Sequence, residues 1–308
     1  MIMEDGKKSV LGTIVVVVLV LWVLSFLFAG FASLFVPSQF LVGGNVALIK
    51  VEGVLATEGS DSFLGDGSAS SSDIVKLLQE ADTNPGVVAV LLEVNSPGGS
   101  PVASYEIAQA VRKLNKTCVA YIREVGASGG YWVASAADYV VANPLSITGS
   151  IGVYSSFLDF SGLMSKYGVS YQRVVSGDFK DLGSPYRNLS DSDRDVLLSK
   201  IKVVHEFFVS QVAENRHMNK SVVAELATGL FYLGPEAKDL GLVDVVGDLD
   251  TAKNYIKDLL ELESVELVEY ETKRGFFDSF SGVISKNFFF LGKGFGSAFV
   301  DQNFAVRT

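Results

Sequence analysis

With 308 residues, 48% of them hydrophobic and 30 of them glycine, the chain can form one large domain plus appendages or two modest domains, and disorder is excluded as its default state. A formal net charge of -10 argues against nucleic acid as a partner, since neutralising phosphates takes clustered lysine and arginine, and points instead to a solvated acidic surface. The single cysteine, Cys118, cannot form an intramolecular disulfide and lies in an apolar strand-like run, where it reads as a small core residue.

Residues 1–9 are a short polar tail, and residues 10–36 follow without one charged side chain. At a helical rise of about 1.5 Å per residue this run exceeds the ~30 Å hydrocarbon core, so it is expected to be a transmembrane anchor. A cleaved signal peptide would have a shorter apolar region, of about 7–15 residues, and a small-x-small cleavage site. Lys7 and Lys8 precede the span and no lysine or arginine follows it until Lys50. The positive-inside rule therefore puts the amino terminus in the cytoplasm and everything beyond Pro37 outside it.

Residues 37–44 read as a linker, and Val46 to Val51 as a strand. Gly59 to Ser72 is a Gly/Ser/Asp-rich loop, after which Ser72 or Asp73 is expected to cap a helix bearing Ile74, Leu77 and Leu78. Val87 to Val94 is an apolar β-branched run suited to a buried parallel strand. It ends in Asn95-Ser96-Pro97-Gly98-Gly99-Ser100, and a helix from about Val102 to Leu114 follows. A strand at Cys118–Ile122, a turn at Ser128, a helix and a strand at Tyr139–Ala142 repeat the alternation. Such a βαβ series predicts a parallel sheet with helices on its faces. Beyond the loop Thr148 to Val153 the pattern predicts a short helix ending at Gly168 and a strand at Val169–Val175. A polar stretch from Ser176 to Arg187 then leads into a long amphipathic helix, Asp191–Arg216, with Val196, Leu197, Ile201, Val204, Phe207, Phe208 and Val212 on its apolar side. A helical Pro235–Leu240 and an apolar Leu242–Val246 continue the alternation towards Tyr270.

The final segment, Arg274 to Thr308, is rich in phenylalanine interleaved with glycine and serine, and Asp278, Lys286 and Lys293 interrupt it, which disfavours a second span. Three roles stay open for it: lying in the membrane interface, packing on a neighbouring subunit, or entering the protein's own groove.

The stretch Arg123-Glu124-Val125-Gly126-Ala127-Ser128-Gly129-Gly130-Tyr131-Trp132 leaves a strand, turns through small residues and enters a helix with one hydroxyl at the turn. Small neighbours let other backbone approach and leave amides unshielded at a helix start, which is how a nucleophile is presented. A tight strand-to-helix turn with no chemistry fits the same ten residues. A serine nucleophile needs a base. His205 sits within the apolar pattern of the long helix and His217 near its end, so both read as structural or solvent-facing. A lysine substitutes where its site holds it neutral, and Lys180, in Ser176-Gly177-Asp178-Phe179-Lys180-Asp181, is the candidate. Its other reading is a solvated loop lysine paired with Asp178 or Asp181.

Taken in order, Asn95-Ser96-Pro97-Gly98-Gly99, Gly126-Ala127-Ser128-Gly129-Gly130-Tyr131, Thr148-Gly149-Ser150-Ile151-Gly152-Val153 and Ser176-Gly177-x-x-Lys180-Asp181 with Ser184-Pro185 resemble the signal peptide peptidase A family. Members are membrane-anchored Ser/Lys peptidases related in fold to the Clp protease and crotonase group. The likeness covers roughly Asn45 to Leu260. It implies an α/β fold, a Clp protease/crotonase-like ββα superhelix domain over residues 45–262 behind the anchor, with residues 263–308 a C-terminal strand and the phenylalanine-rich tail. It implies Ser128 as acyl-forming nucleophile, Lys180 as general base, Ser150 as the serine orienting the lysine, and Gly98, Gly99 and Gly129 as the oxyanion hole, with no metal and no cofactor. The implied activity is a membrane-bound endopeptidase cutting hydrophobic peptides such as cleaved signal peptides, assembled as a homo-oligomeric ring on membrane lipid. The spacing of Ser128 and Lys180 suggests that both catalytic residues come from one chain, although a ring could still place Lys180 against a neighbour's Ser128. One departure stands out: Ala227-Thr228-Gly229-Leu230 carries leucine where the family pattern leads one to expect arginine. Two other classes compete: a crotonase-like acyl-coenzyme A enzyme, which would need an acidic catalytic residue, and a non-catalytic membrane scaffold.

Overall fold

The computed structural model describes residues 17–25, 44–58 and 68–272. The chain divides into two units, Met1–Gly43 and Gly44–Thr308. In the first, residues 17–25 form helix α1 with every side chain exposed. The expected span over residues 10–36 lies mostly outside the described residues, as does the phenylalanine-rich tail beyond residue 272. Among the described residues no helix is long and apolar enough to cross a membrane.

The second unit is built on a largely parallel sheet. Its strands are β1 (Val46–Glu52), β4 (Ala89–Ser96), β5 (Thr117–Ala127), β6 (Tyr139–Ala142), β7 (Ile147–Gly149), β8 (Phe231–Leu233), β9 (Val245–Val246) and β10 (Leu267–Glu269). The order is β10-β1-β4-β5-β6-β9, with β7 paired to the far end of β5 and β8 antiparallel to β7. Leu267 lies beside Val46, so the C-terminal strand extends this sheet. The apolar runs Val46–Ile49 in β1 and Ala89–Leu92 in β4 follow from burial on both faces. Ile49, Val51, Leu92, Val94 and Ile122 face one core, whose helices are α2 (Ser71–Thr83), α3 (Pro101–Arg112) and α4 (Gly129–Ser135). Val46, Leu91, Val119 and Tyr121 face the other, closed by Ala252 and Ile256 of α9 (Leu249–Leu259). Cys118 is buried in the first core, and that burial pushes its thiol far above its ordinary pKa, leaving it inert.

Local chemistry sets the helix starts. Ser70, not Ser72 or Asp73, caps α2, accepting from the Asp73 amide at 3.2 Å. The residues just before it, Ala69–Ser70, form a short strand β3 paired with β2 (Leu55–Ala56), so the expected loop ends earlier. Ser100 caps α3, with Pro101 in the first turn where its missing N–H is harmless. On either side of β8 in the chain lie α7 (Lys220–Leu226) and α8 (Gly234–Asp239).

The segment after β7 departs most from expectation. No residue from 152 to 192 is buried, and residues 169–175 form no strand, with Val174 95% exposed. Alternation is not enough to make a strand without a partner edge, and β8 already occupies the free edge of β7. The segment's one helix is α5 (Ser161–Lys166). The long helix α6 (Asp191–Asn215) is docked through its last two turns, where Phe208, Val209, Val212 and Ala213 are buried and Phe208 stacks on Trp132 at 4.6 Å. Val196, Leu197, Ile201 and Val204 are half-buried and Phe207 is exposed, so the expected apolar side covers less than its pattern suggests.

Candidate active site

Strand β5 continues five residues past Ile122, the end of its apolar run, and the extension builds the site. Opposite β4 the register shifts between Val94 and Ser96, where the Val125 amide turns to the Asn95 side chain at 3.2 Å. Beyond this irregularity β5 leaves β6 and pairs with β7, Ala127 opposite Gly149. The chain then passes from strand to helix through one residue, Ser128, at φ 53° and ψ -121°. A side chain in that region is strained by about 1–3 kcal/mol. The turn is held by the Ser128 amide donating to the Gly149 carbonyl at 2.8 Å and by the Trp132 amide donating to the Ser128 carbonyl at 2.9 Å. All seven residues of α4 are buried, which keeps the turn from relaxing. Ser128 itself is half-buried, does not cap its helix, and has no hydrogen-bond partner for its hydroxyl among the described residues.

The loop after β4 is pressed against this turn. A Cβ on Gly98 (φ 98°) would lie 2.6 Å from the Gly129 amide nitrogen and 2.9 Å from Ser128 Cβ, so only glycine fits there. A Cβ on Gly129 would meet Ser104 Oγ at 2.2 Å and the Gly99 nitrogen at 3.3 Å. The loop's far side is stitched to β2: Leu55 N donates to Gly98 O at 2.9 Å and Ser100 N to Leu55 O at 2.8 Å. The three glycine amides differ. That of Gly98 donates to Ser96 Oγ at 3.2 Å, whereas those of Gly99 and Gly129 have no acceptor among the described residues. Two unpaired N–H groups from different segments thus flank the Ser128 turn.

Ser150 leaves β7 as Ser128 leaves β5. Continuing the register by one residue puts the two side by side, and both have positive φ, 51° at Ser150. Its amide donates to the Leu230 carbonyl at 2.9 Å and its hydroxyl to the Gly229 carbonyl at 3.3 Å. The segment Ala227–Leu230, which differs from the family pattern, therefore holds Ser150, a role invisible in the sequence because it is made by main-chain carbonyls. His205 supports the same segment, its Nε2 lying 2.9 Å from the Ala227 carbonyl, and makes no contact with Ser128. His217 is exposed.

Lys180 stands apart. It is exposed, its amide bonds to Gly177 O at 3.0 Å, and its ammonium has no hydrogen-bond or ion-pair partner among the described residues. The structure brings together Ser128, Gly98, Gly99, Gly129 and Ser150, and makes no bond from Lys180 to any of them. The expected pairing of Lys180 with Asp178 or Asp181 is also not made: Asp181 is taken by Arg173 and Arg187, at 2.8 and 3.0 Å. Those hydrogen bonds hold the Asp181 carboxyl far below the ordinary carboxylate range. Among the described residues no cluster of histidine, cysteine and carboxylates is placed to hold a metal ion.

The profile of a family described as Peptidase family S49 matches residues 110–263, half of the chain. A protein of Methanocaldococcus jannaschii named "Putative protease MJ0651" is 37% identical over 226 residues, covering 72% of this chain and 71% of that one. An Enterococcus faecium protein named "Putative signal peptide peptidase SppA" is 33% identical over 242 residues, 77% of this chain and 70% of its own. "Protease 4" of Haemophilus influenzae is 32% identical over 79% of this chain, which spans 39% of its length.

Proposed function

The chain belongs to peptidase family S49, and from that premise we propose that it is a membrane-bound serine endopeptidase in which Ser128 is the nucleophile and Lys180 the general base. The observation that carries this reading is the Ser128 turn, where a strained residue with a free hydroxyl lies beside two unpaired amides. A bare serine turn would place its hydroxyl in a cap and would need no second glycine loop against it.

In the reaction, Ser128 Oγ attacks the carbonyl carbon of a peptide bond as its proton passes to the neutral amine of Lys180. The carbonyl oxygen becomes an oxyanion and accepts from the Gly99 and Gly129 amides, each donor of this kind being worth about 2.7–4 kcal/mol. Gly98 gives the close approach and not the hydrogen bond, since its amide is engaged by Ser96. The C–N bond then breaks, Lys180 returns its proton to the leaving amine, and water hydrolyses the Ser128 ester by the same route. Ser150, beside Ser128, orients the lysine with its hydroxyl once that hydroxyl turns from the Gly229 carbonyl.

Lys180 reaches Ser128 from a neighbouring copy. Support for this comes from the segment carrying it, which exposes Tyr154 (88%), Leu158 (73%) and Val174 (95%), too much apolar surface to leave in water. The apolar run at residues 10–36 anchors the enzyme with the amino terminus cytoplasmic and the peptidase domain outside. Hydrophobic peptides left in the bilayer, signal peptides among them, are the substrates, a reading supported by the name of the Enterococcus relative.

The test mixes full-length Ser128→Ala and Lys180→Ala proteins, each inactive on a hydrophobic fluorogenic peptide. Random co-assembly restores up to about a quarter of wild-type sites if the dyad spans two subunits. A mixture that stays dead sends the lysine back to its own chain, and turnover by Lys180→Ala alone overturns the dyad.

A further inference from the structure

No residue from 152 to 192 is buried, and the apolar packing near Lys180 is limited to Phe157 against Gly183 and Tyr171 beside Tyr186. The stronger tie is a chain of charged forks. Asp181, the next residue, has a side chain only 12% exposed. Arg173 holds its two oxygens through Nε and Nη2, at 2.8 and 3.0 Å, and Arg187 holds the same two through Nε and Nη2, both at 3.0 Å. Arg173 also donates to the Asp178 carbonyl at 2.7 Å, tying down the residue two before Lys180. From Arg187 the chain continues through Nη1 to Asp193, at 2.5 Å. The Asp193 side chain is 3% exposed and sits at the third position of α6, where it closes the capping box by accepting from the Ser190 amide at 3.0 Å. Helix α6 is in turn docked on the core through Phe208, Val209 and Val212. Paired forks fix angle as well as distance, which an isolated surface ion pair does not.

Resting on the assignment of Lys180 as the base, we propose that Asp181 and Arg187 are positioning residues of the peptidase reaction, transmitting the rigidity of α6 to the peptide next to Lys180 so that the amine is presented in one place. The clamp acts on where the amine stands and touches no substrate, so its loss falls on kcat and leaves KM in place. Arg187 bridges two carboxylates, so a lysine there keeps the charge but loses the geometry.

The experiment uses the full-length protein and a hydrophobic fluorogenic peptide, with Asp181→Asn, Arg187→Lys, Arg187→Ala and Lys180→Ala compared at one pH. Asp181→Asn and Arg187→Lys are each expected to lower kcat by about 10- to 100-fold with KM within about twofold, as misplacement of a catalytic group does. Millimolar methylguanidinium is expected to restore kcat severalfold in Arg187→Ala and to leave the wild type unchanged, a response that loss of folding would not give. Should Asp181→Asn unfold, Arg187→Lys carries the same kcat and KM reading alone. Wild-type kcat in both variants with Lys180→Ala inactive overturns the clamp and leaves the dyad standing, as does a loss carried wholly by KM. Turnover by Lys180→Ala overturns the dyad and the clamp together.

Discussion

At Ser128 the main chain does the positioning: a strand, a strained single-residue turn and a buried helix, with Gly98 pressed to van der Waals contact. Around Lys180 it is side chains that order the main chain, through guanidinium forks on Asp181 in a segment with no buried residue. The difference follows from what each group must do. A nucleophile and its oxyanion donors have to keep their mutual geometry to within a fraction of an ångström, which packed backbone provides at no cost during the reaction. On the proposed roles, a base carried on an exposed segment would be supplied after folding, when copies of the chain meet. It would then depend on charge, and on assembly, in a way the proposed nucleophile does not.

The largest effects test the two ends of this contrast. Ser128→Gly abolishes turnover and yet raises the stability of the fold by about 1 kcal/mol, because glycine relieves the positive-φ strain at some entropic cost, and thermal unfolding beside the peptide assay reads both. Unchanged or lower stability would mean the turn is not strained. Lys180→Ala abolishes turnover equally and leaves the unfolding midpoint where it was, since the side chain is exposed and makes no hydrogen bond or ion pair among the described residues. A lysine base works only as the neutral amine, so wild-type turnover climbs as pH rises into the alkaline range, and a flat profile would argue against lysine.

Gly98→Ala comes next. The added methyl would stand 2.6 Å from the Gly129 nitrogen at a φ that side chains resist, so turnover falls about 100-fold or more and stability by about 1–3 kcal/mol. Near-normal kinetics would show that the two loops are not in contact. The smallest effect concerns acid. Arg187 and the Ser190 amide pull the Asp193 carboxyl down to about 2, below its ordinary value. A carboxyl with a depressed folded pKa contributes stability in full above its unfolded value near 4, and loses it as pH falls through about 2. Residues 152–192 are therefore expected to keep their resistance to an acid-active protease down to about pH 4 and to lose it progressively below that, whereas the Ser128 turn, which has no titrating group in its bonds, does not follow. Asp193→Asn should weaken that dependence and leave the part that Asp181, held low by Arg173 and Arg187, carries.

Much of the buried sheet was legible because runs such as Ala89 to Leu92 are apolar on both strand faces, and no other environment suits them. The small-residue turn at Ser128 was legible for the converse reason, that only close backbone packing asks for glycine on both sides of a serine. Legibility failed where a partner decided the outcome. Val169 to Val175 has the composition of a strand but pairs with no other strand. The end of β5, Val125 to Ala127, lies beyond its apolar run, yet pairs with β7 through main-chain groups that no side chain announces. The same blindness hid the carbonyls of Gly229 and Leu230 that hold Ser150.

By itself, then, the sequence determined the parallel sheet, the Ser128 turn and the set of chemically competent residues, because these follow from burial, backbone freedom and the scarcity of histidine. Only the tertiary structure decided which amides stand free among the described residues, Gly99 and Gly129 and not Gly98, and that Asp181, next to Lys180, is held by Arg173 and Arg187 while Lys180 makes no bond to Ser128. Hydrogen-bond bookkeeping and long-range ion pairs depend on which segments meet, and that is settled by packing, not by composition or spacing along the chain.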